Sequence, residues 1–276
     1  MNPIAFTTDH PAWITDAEQP PARIVLHQGE PWLITCAGVQ LHRAPLTHVT
    51  TEAPPIGCAF AADLPKHPGA GPLITELATL DTVARVPNPW LWDAITTAIL
   101  RQVVRAEQAR KVYRRWCATH GRTLRTPAGA LSLAPDPVTV LALTDEAFAT
   151  TGTKFHRTAL RAAASAYMLR HEEWEQLPAD DLVKVLEEVE RIGPWTASAA
   201  AADYTGDFSV YPHGDLAVRT WAHRAAPDLT LPEGDRAFAA QWRRWADNDR
   251  NRLHTLTLFT LTWGNHARTT HNIPPG

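Results

Sequence analysis

The stretch that decides the fold is residues 182–221, which read LVKVLEEVERIGPWTASAAAADYTGDFSVYPHGDLAVRTW. Its first part places apolar side chains at helical spacing, at Leu182, Val185, Leu186 and Val189. The letters RIGP then indicate a tight turn, in which we expect Gly193 to take the positive φ that a short reversal requires. TASAAAA begins a second helix whose small side chains permit close packing against the first. The stretch therefore predicts a helical hairpin over about residues 182–204, followed by a loop that ends at Asp215.

The second helix of such a hairpin begins with backbone N–H groups that have no acceptor within the helix. Together with the helix dipole these groups form a site for a phosphate, which allows binding to a phosphate backbone without sequence preference. An ordinary pair of antiparallel helices has the same local pattern. From the hairpin alone, both interpretations stay open.

A longer pattern connects the hairpin to the acidic loop. It consists of Leu186-x-x-Val189-x-Arg191-Ile192-Gly193-x-Trp195-Thr196-Ala197, then Val210-Tyr211-Pro212-x-x-Asp215 and Val218-Arg219. This pattern resembles the helix-hairpin-helix and Gly/Pro-Asp loop of the DNA glycosylase superfamily. Residues 92–103 and 109–111 are similar to that family's early helices, so the resemblance covers roughly residues 75–265. It implies an enzyme that flips a damaged base out of duplex DNA and hydrolyses its glycosidic bond.

The apolar patterning divides the chain at GAGP, residues 69–72. Residues 1–72 have short alternating runs that predict an antiparallel β-rich domain, with strands in ARIVLH, PWLITCAGVQLH, THVTT and GCAFA. Residues 73–276 have mostly helical spacing. The predicted fold class is therefore α+β, a small β-rich domain followed by a helical glycosylase region. The resemblance relates the β-rich part to the extra domain of the 3-methyladenine DNA glycosylase II branch.

Proline and glycine residues divide the helical region into short helices. Besides the hairpin, we expect a loop at residues 127–137 and helices at residues 73–86, 90–103, 106–120, 138–142, 146–151, 155–171 and 178–190.

Asp215 is the residue to which the resemblance assigns catalysis. Breaking the glycosidic bond builds positive charge on the deoxyribose, and a nearby carboxylate stabilises that charge. Asp215 also has the type and position of an N-cap for the helix LAVRTWAHRAA. The two roles are compatible. A helix-hairpin-helix module that binds DNA and uses Asp215 only as a cap is the non-enzymatic alternative.

Two features separate this sequence from other branches of the superfamily. Branches that also nick the strand carry a lysine where this chain has Trp195, so we expect a monofunctional enzyme without lyase activity. The iron–sulfur branch carries cysteines after the catalytic aspartate, whereas here no cysteine follows Cys117. Both features favour the alkylation-repair branch and N-alkylated purines as substrates. Bulky or hypermodified bases are the alternative.

The remaining predicted site residues bind the base or the DNA. Aromatic candidates to stack on the flipped base are Trp195, Tyr211, Trp90 and Trp92, each of which could instead fill the core. Gln102 and Val103 occupy the position of the family's wedge, although Val103 could be a buried helix residue. Backbone contacts are expected from Arg191, Ile192, Gly193, Thr196 and Arg105. Arg191 stands where the family usually has glycine.

Composition limits the partners. The formal charge is -3, but residues 101–125 carry eight arginines and lysines and one acid, which suits a phosphate backbone. The thirteen histidines lack metal-ligand spacing, and we expect no metal, no required cofactor and no iron–sulfur cluster. The resemblance suggests a monovalent cation at the hairpin. No targeting segment or run of 18 apolar residues is present, so we expect a protein of the cytoplasm. The resemblance implies double-stranded DNA as the partner and association with the nucleoid, and we expect a monomer.

Overall fold

A computed structural model describes residues 4–15, 19–37, 40–47 and 51–271 of the chain. Its strands are β1 (Ile4–Phe6), β2 (Ala22–His27), β3 (Glu30–Ala37), β4 (Gln40–Pro45), β5 (Gly57–Phe60), β6 (Thr82–Arg85), β7 (Thr123–Thr126) and β8 (Gly129–Ser132). Its helices are α1 (Gly71–Leu77), α2 (Leu91–Leu100), α3 (Ala106–His120), α4 (Pro137–Ala142), α5 (Asp145–Thr150), α6 (Arg157–Trp174), α7 (Ala179–Glu187), α8 (Pro194–Thr205), α9 (Leu216–Ala225), α10 (Asp235–Trp245) and α11 (Arg250–His271). The predicted α+β class is confirmed.

The chain forms two compact units, each assembled from separated stretches. We call residues 4–9, 56–86 and 206–271 the first unit and residues 10–55 and 87–205 the second unit, within the described ranges. The predicted division cuts the chain at one point, between residues 72 and 73. It stays a prediction about domain organisation.

In the first unit, β6 is the central strand of a three-stranded sheet. It pairs parallel to β1, with Val83 opposite Ala5, and antiparallel to β5. Helix α11 packs against α9 and α1. Phe259 of α11 and Trp242 of α10 are fully buried, and the Trp242 Nε1 donates to the Thr257 hydroxyl of α11 at 3.0 Å.

In the second unit, β2, β3 and β4 form an antiparallel sheet, and β7 and β8 form a separate hairpin. Ala22, Ile24 and Leu33 of the sheet form one apolar cluster with Leu131 and Leu133. Helix α8 packs against both α2 and α7. Because α2 and α8 are in contact, the end of α2 lies beside the start of α8.

Two predicted elements are wrong. The helix expected over 73–86 ends at Leu77, because Thr82–Arg85 join the sheet of the first unit as β6, where their hydrogen bonds are made. The loop expected over 127–137 begins with strand β8, which forms a hairpin with β7 around Gly129, at φ 97°. The predicted helix 106–120 is found with the same bounds. Part of the predicted strand THVTT lies outside the described residues.

Candidate nucleic-acid interface and catalytic residue

The hairpin of the second unit turns at Arg191. This residue has a φ of 66°, in the left-handed region that favours glycine, whereas the φ of Gly193 lies outside that region. Our prediction that Gly193 takes the positive φ is therefore wrong. Arg191 lies in the turn between α7 and α8, and glycine adopts this left-handed conformation at a lower cost than arginine does. The Ile192 amide closes the turn by donating to the Val189 carbonyl at 3.0 Å.

Neither the backbone conformation of residue 193 nor the atoms around it require glycine at this position. A Cβ built on Gly193 would meet no heavy atom within 4 Å, and the residue is exposed. The first hydrogen bond within α8 runs from the Ala197 amide to the Gly193 carbonyl at 3.0 Å. The backbone at the start of α8 is thus open to close approach from outside the protein, next to the positive end of the helix dipole.

Gln102, predicted as part of a wedge, binds the hairpin. Its Nε2 donates to the Arg191 carbonyl at 3.1 Å and to the Thr196 hydroxyl at 2.7 Å. The Thr196 and Ile192 side chains are buried, so these two predicted DNA contacts can come only from their backbone. Gln102 therefore fixes the end of α2 to the hairpin, a contact between residues 89 and 94 positions apart in the chain.

Val103 projects from the same turn into solvent. Its side chain is 89% exposed, and its φ of 59° is unusual for a β-branched residue. The alternative in which Val103 is a buried helix residue is wrong, because α2 ends at Leu100. An exposed apolar side chain on a strained turn has the form of a wedge.

Phe155 is a candidate that the sequence analysis missed. Its ring is 72% exposed, and the neighbouring His156 Nε2 lies 3.5 Å from the carbonyl oxygen of Gln102. This contact brings the turn at residues 154–156 beside the turn that carries Val103. The sequence does contain a signal for this candidate: an aromatic residue between Lys154 and His156, just before a helix rich in small side chains.

The aromatic candidates of the second unit differ in burial. Trp92 is fully buried and donates from Nε1 to the Pro135 carbonyl at 2.7 Å, so it is a core residue and not a pocket wall. Trp90 and Trp195 are half-buried. The guanidinium carbon of Arg101 lies 5.7 Å from the centroid of the Trp195 ring.

A buried polar cluster joins α2 to α8 behind these features. The Asn88 side-chain amide donates to Asp93 at 3.0 Å and to Asp203 at 3.1 Å, and the Tyr113 hydroxyl donates to Asp93 at 2.7 Å. Burial raises the pKa of the Asp93 carboxyl. His10 lies 3.6 Å from the carboxylate of Asp93. This cluster fixes α2, which ends at the exposed turn that carries Val103, and α8, which begins at the turn of the hairpin.

Two arginines of the basic stretch make structural contacts within the second unit. Arg110 and Arg114 donate to backbone carbonyls at Pro11 and Trp13. Arg105 is exposed at the start of α3, two residues after Val103. Arg115, Arg122 and Arg125 are also exposed.

In the first unit, the Asp215 carboxylate is held from two sides. Its Oδ2 accepts the Ala217 amide at 3.2 Å, so the predicted N-cap is confirmed. The same oxygen accepts the Tyr211 hydroxyl at 3.3 Å. Tyr211 is only 4% exposed, and its ring stacks on the Phe208 ring with centroids 5.6 Å apart. Tyr211 is therefore a buried residue whose hydroxyl positions the Asp215 carboxylate. Asp215 itself is half-exposed.

The loop before Asp215 is tightly packed. A Cβ on Gly214 would lie 2.7 Å from the carbonyl oxygen of Asp235, which explains glycine at this position. His213 is buried, and burial together with the positive charge of Arg243 lowers its pKa to about 4. The carboxylate of Asp235 also pairs with Arg219 of α9 at 3.0 Å. The position of Asp215 is therefore set by the core of the first unit.

Comparison with solved structures identifies the fold. MBOgg1 in complex with a low-affinity DNA ligand is 14% identical at a TM-score of 0.68, over 94% of this chain and 89% of that one. The 3-methyladenine DNA glycosylase from Archaeoglobus fulgidus is 12% identical at 0.67, over 95% and 91%. The Clostridium acetobutylicum 8-oxoguanine glycosylase/lyase, bound to double-stranded DNA with cytosine opposite 8-oxoguanine, is 13% identical at 0.64, over 96% and 90%.

The chain has the fold of the DNA glycosylases. No family model and no curated protein sequence matches it. The hairpin predicted over about residues 182–204 is formed by α7 and α8, and the loop that follows it ends at Asp215, before α9. No helix in the described ranges is long and apolar enough to cross a lipid bilayer. Within those same ranges, no three His, Cys, Asp or Glu side chains are grouped to hold a metal ion.

Proposed function

We propose that this chain is a monofunctional DNA glycosylase of the helix-hairpin-helix superfamily, in its 3-methyladenine DNA glycosylase II branch. It removes damaged bases from double-stranded DNA by hydrolysis and leaves an abasic site, as a monomer in the nucleoid of the cytoplasm. The observation that carries the proposal is the Asp215 carboxylate, held half-exposed at the start of α9 by the Ala217 amide and the Tyr211 hydroxyl.

A fixed carboxylate suits the chemistry of this reaction. As the bond from C1′ to the base breaks, its electron pair leaves with the base and the sugar becomes cationic. The charge on Asp215 lowers the energy of that state without having to reorganise, because both of its donors are part of the folded chain. A water molecule then forms a bond to C1′ and gives up one proton, which passes to solvent when a cationic base leaves in its neutral form and to the departing base when that base leaves as an anion.

The hairpin supplies DNA binding. The open backbone at Gly193 and the dipole of α8 favour a phosphate oxygen at the start of that helix. A monovalent cation fits the same turn, since the carbonyls of Val189 and Arg191 each accept one hydrogen bond and an oxygen has a second lone pair. Such an ion would add positive charge beside the phosphate. Arg105 contributes a further exposed charge.

The space left by a flipped base must be filled from the protein. Val103 is proposed to enter the base stack as the wedge, with Phe155 beside it. Both side chains are exposed and apolar, and the contact between His156 and Gln102 supports their proximity.

Trp195 supports hydrolysis without strand cleavage. It stands where the lyase branches have the lysine that forms a Schiff base, and its indole has no nucleophilic amine. Two substrate classes remain under this proposal. N-alkylated purines leave readily because they are cationic, whereas bulky or hypermodified bases are neutral.

A labelled duplex with one damaged base tests the proposal. Duplexes containing 7-methylguanine or hypoxanthine are incubated with the protein and then treated with hot alkali, which cleaves abasic sites. We expect alkali-dependent cleavage with the wild type and with Asp228→Asn, a matched change at an exposed aspartate, and loss of cleavage with Asp215→Asn. Equal cleavage by wild type and Asp215→Asn contradicts the catalytic role. Strand breaks before alkali contradict the monofunctional assignment, and binding without release of any base supports the non-catalytic module.

A further inference from the structure

His156 is a buried histidine next to the exposed ring of Phe155. It is only 3% exposed, whereas Phe155 is 72% exposed. The two ring centroids lie 5.2 Å apart, and the ring planes are at 89° to each other. In this geometry the edge of one ring meets the face of the other, an arrangement that aromatic pairs favour. The His156 ring is therefore a buried neighbour against which the exposed Phe155 ring is held.

The same imidazole contacts the turn that carries Val103. His156 Nε2 lies 3.5 Å from the carbonyl oxygen of Gln102, the residue before Val103. A carbonyl oxygen only accepts hydrogen bonds, so Nε2 is the nitrogen that donates. Burial lowers the pKa of His156, so the folded protein holds the neutral ring. Its other nitrogen, Nδ1, is buried and has no hydrogen-bond partner among the residues that the structure describes. The proton of the neutral ring is thus on the nitrogen that faces the Gln102 carbonyl.

Both turns that meet at this contact are anchored in the second unit. The His156 amide donates to the Thr153 carbonyl at 2.9 Å, and the buried Thr153 hydroxyl donates to the Phe148 carbonyl at 3.1 Å. Gln102 is anchored by its side chain, which binds the hairpin. A hydrogen bond between two anchored turns fixes the separation of the exposed side chains that the turns carry.

We propose that His156 is a positioning residue, which sets where Phe155 stands relative to Val103 so that both apolar side chains enter the base stack of a duplex together; the inference rests on the proposed function. Val103 has a φ of 59°, a conformation that persists only where the surrounding structure holds it. The contact between Gln102 and His156 is one such restraint. Fixing both side chains before DNA binds reduces the entropy that is lost when they are inserted.

Two substitutions of His156 separate its hydrogen bond from its volume. His156→Gln keeps an N–H donor at about the position of Nε2, whereas His156→Leu fills the site without a donor. His120→Leu is the matched control, because His120 Nε2 also lies 3.4 Å from a backbone carbonyl, that of Ala147, away from the two turns. If His156→Leu does not fold by circular dichroism, His156→Asn replaces it, because its amide is one bond shorter than that of glutamine and does not reach Gln102.

Single-turnover excision from duplexes that contain 7-methylguanine or hypoxanthine measures the effect. His156→Leu should slow excision about five- to tenfold, as expected for the loss of one hydrogen bond. His156→Gln and His120→Leu should stay within about twofold of wild type, because both keep the donor to Gln102. Equal slowing in His156→Leu and His156→Gln overturns the inference.

A double-variant cycle distinguishes positioning from a general effect on the fold. If His156 acts through the Phe155 side chain, adding His156→Leu to Phe155→Ala should slow excision by less than about twofold. A further loss as large as the loss in the wild-type background overturns the inference, because His156 then acts through the fold. Excision by Phe155→Ala that is as fast as by the wild type also overturns it.

A binding measurement keeps this inference separate from the proposed function. The fluorescent base 2-aminopurine is placed beside a tetrahydrofuran abasic-site analogue, where its fluorescence reports unstacking without any bond cleavage. The wild type should raise this fluorescence on binding, and at saturating protein His156→Leu should raise it less than His156→Gln. If the wild type releases no base, the proposed function fails, while the fluorescence still tests His156. Equal fluorescence with the two variants, or no rise with the wild type, overturns the inference.

Discussion

Replacing His213 should change how the stability of the protein depends on pH. His213 lies two residues before Asp215 and is 4% exposed. Both of its ring nitrogens are buried, and a hydrogen bond with the backbone of Ser209 opposes the effect of burial only in part. Burial first, and then the charge of Arg243, lowers its pKa from 6.5 to about 4, so the folded protein holds the neutral ring.

The sign and size of the effect follow from that shift. Above pH 6.5 the ring is neutral in both the folded and the unfolded chain, and it causes no pH dependence. As the pH falls below this value the unfolded chain takes up the proton first, so the folded state loses stability. The shift from 6.5 to about 4 corresponds to a loss of about 3 kcal/mol below pH 4. About 2 kcal/mol of this loss is already present near pH 5.

Urea unfolding followed by tryptophan fluorescence measures this loss. His213→Leu removes the titrating group, and His213→Gln is a matched variant that keeps a polar side chain. For each variant, the free energy of unfolding relative to wild type should rise by about 2 kcal/mol between about pH 7.5 and about pH 5. Comparison with wild type cancels the other titrating groups. A difference that is the same at both pH values would refute the argument that His213 is buried in its neutral form.

Substitutions at four positions test other parts of the structure. Asp215→Asn should keep the N-cap, so the free energy of unfolding should change by less than about 0.5 kcal/mol, while single-turnover excision should slow about 100- to 1000-fold. Asp215→Ala should slow excision as well and should also lower the free energy of unfolding in urea by about 1 kcal/mol. Val103→Gly should relieve the strain at φ 59° and stabilise the protein by about 1 kcal/mol, while slowing excision from duplex more than from single-stranded DNA; equal slowing on both would contradict a wedge. Arg191→Gly should likewise stabilise the turn by about 1 kcal/mol, and if the guanidinium contacts phosphate, the slope of log affinity against log salt should fall by about 1. In Gly264→Ala the new Cβ would lie 2.1 Å from Cδ2 of Trp221, so thermal unfolding should show a loss of about 1 to 3 kcal/mol, and an unchanged Tm would contradict this close packing of α11 on α9.

Short-range patterns could be predicted from the sequence. Helical spacing gave the hairpin and helix 106–120, and the residue type of Asp215 before LAVRTW gave its N-cap, because these features depend on neighbours within a few residues. The resemblance to the superfamily pattern singled out Asp215 and the hairpin without any knowledge of packing.

Long-range contacts decided the rest. Gln102 had the sequence position of a wedge, but its amide is held by a carbonyl and a hydroxyl about ninety residues away. Thr82–Arg85 form a strand because β1 and β5 lie beside them, and Arg101 meets Trp195 because α2 packs on α8. The free energy of each such contact depends on a partner that is distant along the chain, so local sequence could name candidate residues, and the tertiary structure decided which of them are exposed and which are held by other residues.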